Sequence, residues 1–201
     1  MKTVDKDQIS AVILAGGMGR RMGGQDKGQV KLHGHPLIEY VLNAIRPQVS
    51  TILINANRHQ DDYAHYGYPV LSDLLEGYQG PLAGFASAMQ AASTPYIVTV
   101  PCDGPLLASD LVSRLCAALM RDNAEIAVAH DGDRLQPVYA LVPTNLLPDL
   151  EAFLEAGNRK IDQWYAEHVV ALADFSDSAE TFRNINTPED YQRLHKEEFT
   201  A

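Results

Sequence analysis

Residues 9–31 read ISAVILAGGMGRRMGGQDKGQVK, and the fold is legible first in this stretch. An apolar run, Ala11–Leu14, opens into glycines at 16, 17, 19, 23 and 24, with Arg20, Arg21 and Lys27 among them. A strand that empties into a glycine-rich, basic loop before a helix suits a polyphosphate. Glycine lets backbone N–H groups come close to the phosphates, and the cations neutralise their charge. The whole chain has a formal net charge of −10, yet residues 15–31 set Arg20, Arg21, Lys27 and Lys31 against Asp26 alone. Such a local positive patch on an acidic chain is a focused anion site. A nucleic-acid surface would need broader positive charge.

The 201 residues, 46% of them hydrophobic, suit one domain with a sizeable core, spanning 1–201 behind a short polar tail at 1–8. No apolar run approaches the ~20 residues that cross a bilayer, and MKTVDKDQIS lacks the apolar centre of a signal peptide. Cys102 and Cys116 are the only cysteines, and their setting suggests neither a disulfide framework nor a zinc site. They fit a reducing compartment, so a cytoplasmic protein with no nucleic-acid or membrane partner is expected.

Short β-rich runs alternate with helical patterns, which predicts an α/β fold: a mostly parallel sheet with helices on both faces. Strands are expected at Ala11–Leu14, Thr51–Asn55, Val70–Leu71, Tyr96–Val100, Glu125–Ala129 and Val138–Val142, with a late one at Val169–Leu172. Helices are expected near Pro36–Ile45, Pro81–Ala92, Ser109–Arg121 and Thr144–Ala156, with a short one at Arg159–Glu167. Asn186-Thr187-Pro188-Glu189-Asp190 places a capping threonine, a first-turn proline and then acids, a strong helix start. Ligands of open α/β sheets bind beyond the carboxyl ends of the strands. The glycine-rich loop, Asn55, Ser72-Asp73 and Pro101-Cys102-Asp103 all fall at such ends, so spacing alone gathers them on one sheet edge.

The loop is no Walker A motif, because no glycine in the chain is followed by lysine. It misses the dinucleotide fingerprint too: Met22 stands where the third glycine belongs, and the second strand ends in Asn55 where an acid would take a ribose. What remains fits a triphosphate whose pyrophosphate must leave, with Arg21 and Lys27 the expected phosphate cations. Asp103 follows an apolar strand and can hold Mg2+, which binds through one or two carboxylates plus substrate phosphates. The alternative is a helix cap, a task for which Ser109 or Asp110 is better placed. Cys102 reads as a small buried hydrophobe. Asp73 is either a site carboxylate or a turn residue, and Gly80 and Gly84 at a helix start could admit a base or ribose. Gln136 and the basic pair Arg159-Lys160 near Trp164 suit a second flat, anionic substrate, or else a solvated helix face.

Leu14-Ala15-Gly16-Gly17 followed by Arg21-Met22-Gly23-Gly24-Gln25-Asp26-Lys27-Gly28 resembles the N-terminal signature of the molybdenum cofactor guanylyltransferases, the molybdopterin-guanine dinucleotide biosynthesis protein A family. The likeness continues through Asn55, Asp73, Gly80-Pro81-Leu82-Ala83-Gly84, Pro101-Cys102-Asp103, Gln136-Pro137-Val138 and Asn184-Ile185-Asn186-Thr187, nearly the whole chain. It implies a Rossmann-like nucleotidyltransferase that transfers GMP from GTP to the terminal phosphate of molybdopterin and releases pyrophosphate. It further implies GTP on Leu14, Ala15, Gly16, Lys27, Asn55, Asp73 and Asp103, with Mg2+ on Asp103 and with Arg21, Lys27 and Asp103 catalytic. The C-terminal half would take the pterin, with Arg134, Gln136, Arg159, Lys160, Asn184 and Asn186 as candidates. Other cofactor-biosynthesis proteins and recipient molybdoenzymes are the implied protein partners. A cytidylyltransferase or sugar-phosphate nucleotidyltransferase on the same scaffold, or a non-catalytic nucleotide carrier, are the rival readings.

Overall fold

The computed structural model describes residues 4–15, 17, 26–74 and 80–197. In chain order the strands are β1 (Ile9–Leu14), β2 (Lys31–Leu32), β3 (His35–Pro36), β4 (Thr51–Asn55), β5 (Val70–Leu71), β6 (Tyr96–Pro101), β7 (Ile126–His130), β8 (Leu135–Pro143) and β9 (Val170–Asp174). The helices are α1 (Leu37–Ile45), α2 (Gln60–Ala64), α3 (Pro81–Ala91), α4 (Leu111–Arg121), α5 (Leu147–Glu155), α6 (Ile161–Tyr165) and α7 (Pro188–His195).

Seven strands form one sheet in the order β5-β4-β1-β6-β8-β7-β9, and β2 and β3 form a separate hairpin. The pairings of β1 with β4 and β6, of β4 with β5, and of β7 with β9 are parallel. β8 runs against both its neighbours, β6 and β7. It can do so because a short connection, Asp131–Arg134, turns the chain straight back from β7. Parallel neighbours need a long crossover instead.

Alternate residues of each strand feed opposite layers, as the two-residue period of a strand requires. Ile9, Ala11 and Ile13 of β1 pack with α1 and α4, through residues such as Val41, Ile45 and Leu115. Val12 turns the other way, toward Leu82 and Phe85 of α3, Leu150 of α5 and Trp164 of α6. Helices therefore cover both faces, as the alternation predicts. β1 sits between β4 on one side and β6 on the other, so the order reverses there. That reversal opens a crevice at the carboxyl ends of β1, β4 and β6.

The helix signals mostly hold. Pro81 opens α3 behind Gly80, whose φ of 82° suits glycine. Thr187 Oγ1 accepts from Asp190 N while Asp190 Oδ2 accepts from Thr187 N, a reciprocal cap on α7. The segment from Thr144 begins as a 3-10 turn before α5, with Pro148 in its first turn. One expectation fails: neither Ser109 nor Asp110 caps α4 with its side chain. Arg114 draws the Asp110 carboxylate away, Nε to Oδ2 at 2.7 Å, while also pairing with Asp177 and lying over the Phe175 ring. Among the described residues no helix is long and apolar enough to cross a membrane.

Candidate active site at the sheet edge

Leu14 and Ala15 end β1 in the gap between its two neighbours. Cys102 N donates to Leu14 O at 3.1 Å, and Ala15 N donates to Asn55 O at 2.8 Å. The ladder thus carries the ends of β4 and β6 to the end of β1, and Asn55 and Asp103 with them. Gly16 and Arg21 lie outside the described residues, as do Gly19, Arg20, Gly23 and Gly24.

Lys27 begins a 3-10 turn, Lys27–Gln29, capped by Asp26. Its Nζ lies 2.9 Å from Asp103 Oδ2 and also donates to Asn186 Oδ1. Asp103 itself is 7% exposed, and its backbone oxygen accepts from Ile185 N at 2.9 Å. That last bond ties the C-terminal segment to the end of β6 and brings Asn184 and Asn186 to the site. Three remote pieces of chain therefore meet at Lys27 and Asp103. Cys102 next door is buried. Burial above all, and then the Asp103 carboxylate, push its thiol well above the ordinary value. It stays a neutral hydrophobe, as the sequence suggests.

Asp73 is held by two asparagines at the end of β4 and just beyond it. Asn55 Nδ2 donates to its Oδ1 at 3.0 Å and Asn57 Nδ2 to its Oδ2 at 2.7 Å. Asp73 N in turn donates to Asn57 Oδ1 at 2.8 Å. Asn57 was missing from the sequence candidates; it lies in the bend just past β4, two residues beyond Asn55. Gly84 lies under the same residues. A Cβ there would stand 2.6 Å from Asn55 Oδ1 and 2.8 Å from Leu14 Cδ2, so the close approach requires glycine. Arg58, also missed, reaches Gly17 O with Nη2 at 3.0 Å.

The remaining candidates divide between two places. Arg134, Gln136, Asn184 and Asn186 line one cavity of about 310 Å³ together with Arg183 and Arg193. Arg183 is committed to Glu197 by two bonds of 2.9 and 2.7 Å. Gln136 Nε2 donates to Asp131 Oδ2 at 2.6 Å, and Tyr139, unnoticed in the sequence, donates its hydroxyl to Asn184 Oδ1 at 2.7 Å. Arg159 and Lys160 are not among the lining residues of that cavity. Arg159 lies by Gly80 at the start of α3, where its carbonyl oxygen would be 3.7 Å from a Cβ on that glycine.

No cluster of three or more acidic, histidine or cysteine side chains able to cage a metal occurs among the described residues. One buried carboxylate, Asp103 beside Lys27, still fits Mg2+, which keeps several waters and shares phosphate oxygens when a nucleotide is bound.

Comparison with known proteins shows the family and supports the fold. Residues 11–171 match the family described as "MobA-like NTP transferase domain". A molybdenum cofactor guanylyltransferase of Shewanella loihica is 56% identical over 187 residues, 93% of this chain and 95% of that protein. Among solved structures, the molybdopterin-guanine dinucleotide biosynthesis protein A of Archaeoglobus fulgidus superposes with a TM-score of 0.79. It is 24% identical and covers 93% of this chain and 97% of its own. The 4-diphosphocytidyl-2C-methyl-D-erythritol synthase of Anaerococcus prevotii reaches 0.74 at 13% identity, with 95% and 96% covered. At these identities the two structures speak for the fold alone.

Proposed function

We propose a course for the reaction from a premise that the homology shows: this chain belongs to the molybdenum cofactor guanylyltransferases, within the MobA-like NTP transferases. It is a nucleotidyltransferase that transfers GMP in the biosynthesis of the molybdenum cofactor. In our reading the donor is GTP and the acceptor is the terminal phosphate of molybdopterin, which attacks the α-phosphorus in line. The bond to the β-phosphate breaks and pyrophosphate leaves.

The observation that carries this reading is the meeting of Lys27 and Asp103 at 2.9 Å on the crevice edge, beside the Asn55–Asp73 pair. A phosphate monoester has a second pKa of about 6, so the acceptor is largely ionised at neutral pH and needs no general base. The task left to the protein is to position two anions and to stabilise spreading negative charge. Lys27 and Arg21 would face the leaving pyrophosphate. When GTP enters, the Lys27 ammonium exchanges its bonds to Asp103 and Asn186 for phosphate oxygens, which frees the carboxylate. Asp103 would then hold Mg2+, whose charge counters that of the triphosphate. Leu14, Ala15, Gly16, Asn55 and Asp73 would hold the nucleoside. Arg134, Gln136, Asn184 and Asn186 around their cavity would take the pterin, with Arg159 and Lys160 approaching from the α3 side.

Pyrophosphate release measured with each of the four ribonucleoside triphosphates, with and without molybdopterin, tests this. Release should need both GTP and molybdopterin. Equal release with CTP would reinstate the cytidylyltransferase reading. GTP binding with no release under any condition would favour a carrier.

A further inference from the structure

Lys27 is long, flexible and part-exposed, and holding such a side chain in one place costs conformational entropy. Its aim depends on the backbone of the turn that bears it. That turn is fixed from below. Asp26, the residue before Lys27, accepts from Gly28 N, the residue after it, at 3.2 Å. The same oxygen, Oδ1, accepts the phenolic hydroxyl of Tyr63 from α2. Gly28 lies so close over that phenol that a Cβ on it would collide with the hydroxyl. Of the residues Asp26, Lys27 and Gly28, the outer two therefore rest on Tyr63 and the middle one carries the ammonium.

Tyr63 has no surface exposed, and it packs in the cluster that contains Ile13, Ile38 and Ile54. A phenylalanine would fill the same space, and a hydroxyl in apolar surroundings is costly unless it is bonded. Packing therefore does not account for the oxygen, whereas the bond to Asp26 does. Burial first, then the neighbouring Cys102 and Asp26, push the phenol well above its ordinary value, so it remains a donor at any working pH.

We propose that the Tyr63 hydroxyl, acting through Asp26 and the turn that Asp26 caps, is a positioning device that aims Lys27 at the nucleotide phosphates. This rests on the reading of Lys27 given above. The experiment is a double-mutant cycle on the full-length enzyme with Tyr63→Phe, Lys27→Ala and the pair, following pyrophosphate release with GTP and molybdopterin. Values of kcat and KM are separated, and melting temperature is followed in parallel. Tyr63→Phe should lower kcat by about tenfold in the parent, a loss of order one hydrogen bond to a charged group. In the Lys27→Ala background it should cost nothing more, because the group that it aims is gone. Wild-type kcat for Tyr63→Phe, or the same fold-loss in both backgrounds, would overturn the proposal. Lys27→Ala with normal turnover would overturn the reading of Lys27 itself, a failure seen without touching Tyr63. Should Tyr63→Phe not fold, Asp26→Ala takes its place in the cycle, with the same outcomes deciding.

Discussion

Replacing Gly84 by alanine tests how closely α3 is fitted to the nucleotide edge. The new methyl would stand 2.6 Å from Asn55 Oδ1 and 2.8 Å from Leu14 Cδ2, and contacts that short force something to shift. The Leu14 contact is with the tip of a half-buried side chain, which can turn aside without moving the strand. Asn55 is 3% exposed and is held by its bond to Asp73, so the strain falls on that bond. Overpacking a tight interior typically costs ~1–3 kcal/mol, and alanine recovers about 1 kcal/mol over glycine within a helix. The net destabilisation is then about 0–2 kcal/mol. In a chain of this length that corresponds to a fall in melting temperature of up to roughly 8 °C. GTP binding should weaken as well. Displacing Asn55 from the nucleoside forfeits one neutral hydrogen bond, about 0.5–1.5 kcal/mol, so GTP should bind roughly two- to tenfold more weakly. Calorimetric titration with GTP measures the affinity, and a thermal melt measures the stability. Wild-type affinity together with a raised melting temperature would refute the reasoning, for it would mean that the helix accommodates the methyl without moving Asn55.

Asp103→Asn should lower turnover by about a hundredfold or more, since metal stabilisation of transition-state charge is worth several kcal/mol. Part of the rate should return at high Mg2+, and full turnover at low Mg2+ would end the metal assignment. Because Asp103 faces the Lys27 ammonium and not another acid, the variant should also melt slightly lower than wild type. Lys27→Ala should reduce turnover with GTP while leaving the preference for GTP over other nucleotides intact, as competition between nucleotides would reveal. The Arg114 guanidinium holds the Asp177 carboxyl below the usual carboxylate value. A depressed carboxylate contributes stability above its unfolded value of about 4, and that contribution is lost as pH falls through the lower folded value. The stability gap between wild type and Asp177→Asn should therefore be present at pH 7 and close in strong acid. A gap that persists there, measured by urea unfolding across pH, would count against the pairing.

Local signals in the sequence carried far. Strand Thr51–Asn55, the proline-led start of α3 and the Thr187 cap were legible because period, turn chemistry and caps depend on residues a few positions apart. The rule that ligands gather at strand ends was enough to put Asn55, Asp73 and Asp103 on one edge. Short elements escaped: α2 has only five residues, and the β2–β3 hairpin two in each strand, too few to show a period. The reversal of β8 escaped as well, since an apolar run reads alike in either direction. Above all, the sequence could name Lys27, Asp103 and Asn186 but could not join them. Lys27 stands 76 residues from Asp103 and 159 from Asn186. Sheet order and the single bond from Ile185 to the Asp103 carbonyl bring them together. Propensity and spacing decay within a turn or two of chain, whereas a site of this kind is set by which strands become neighbours, and only the packed sheet decides that.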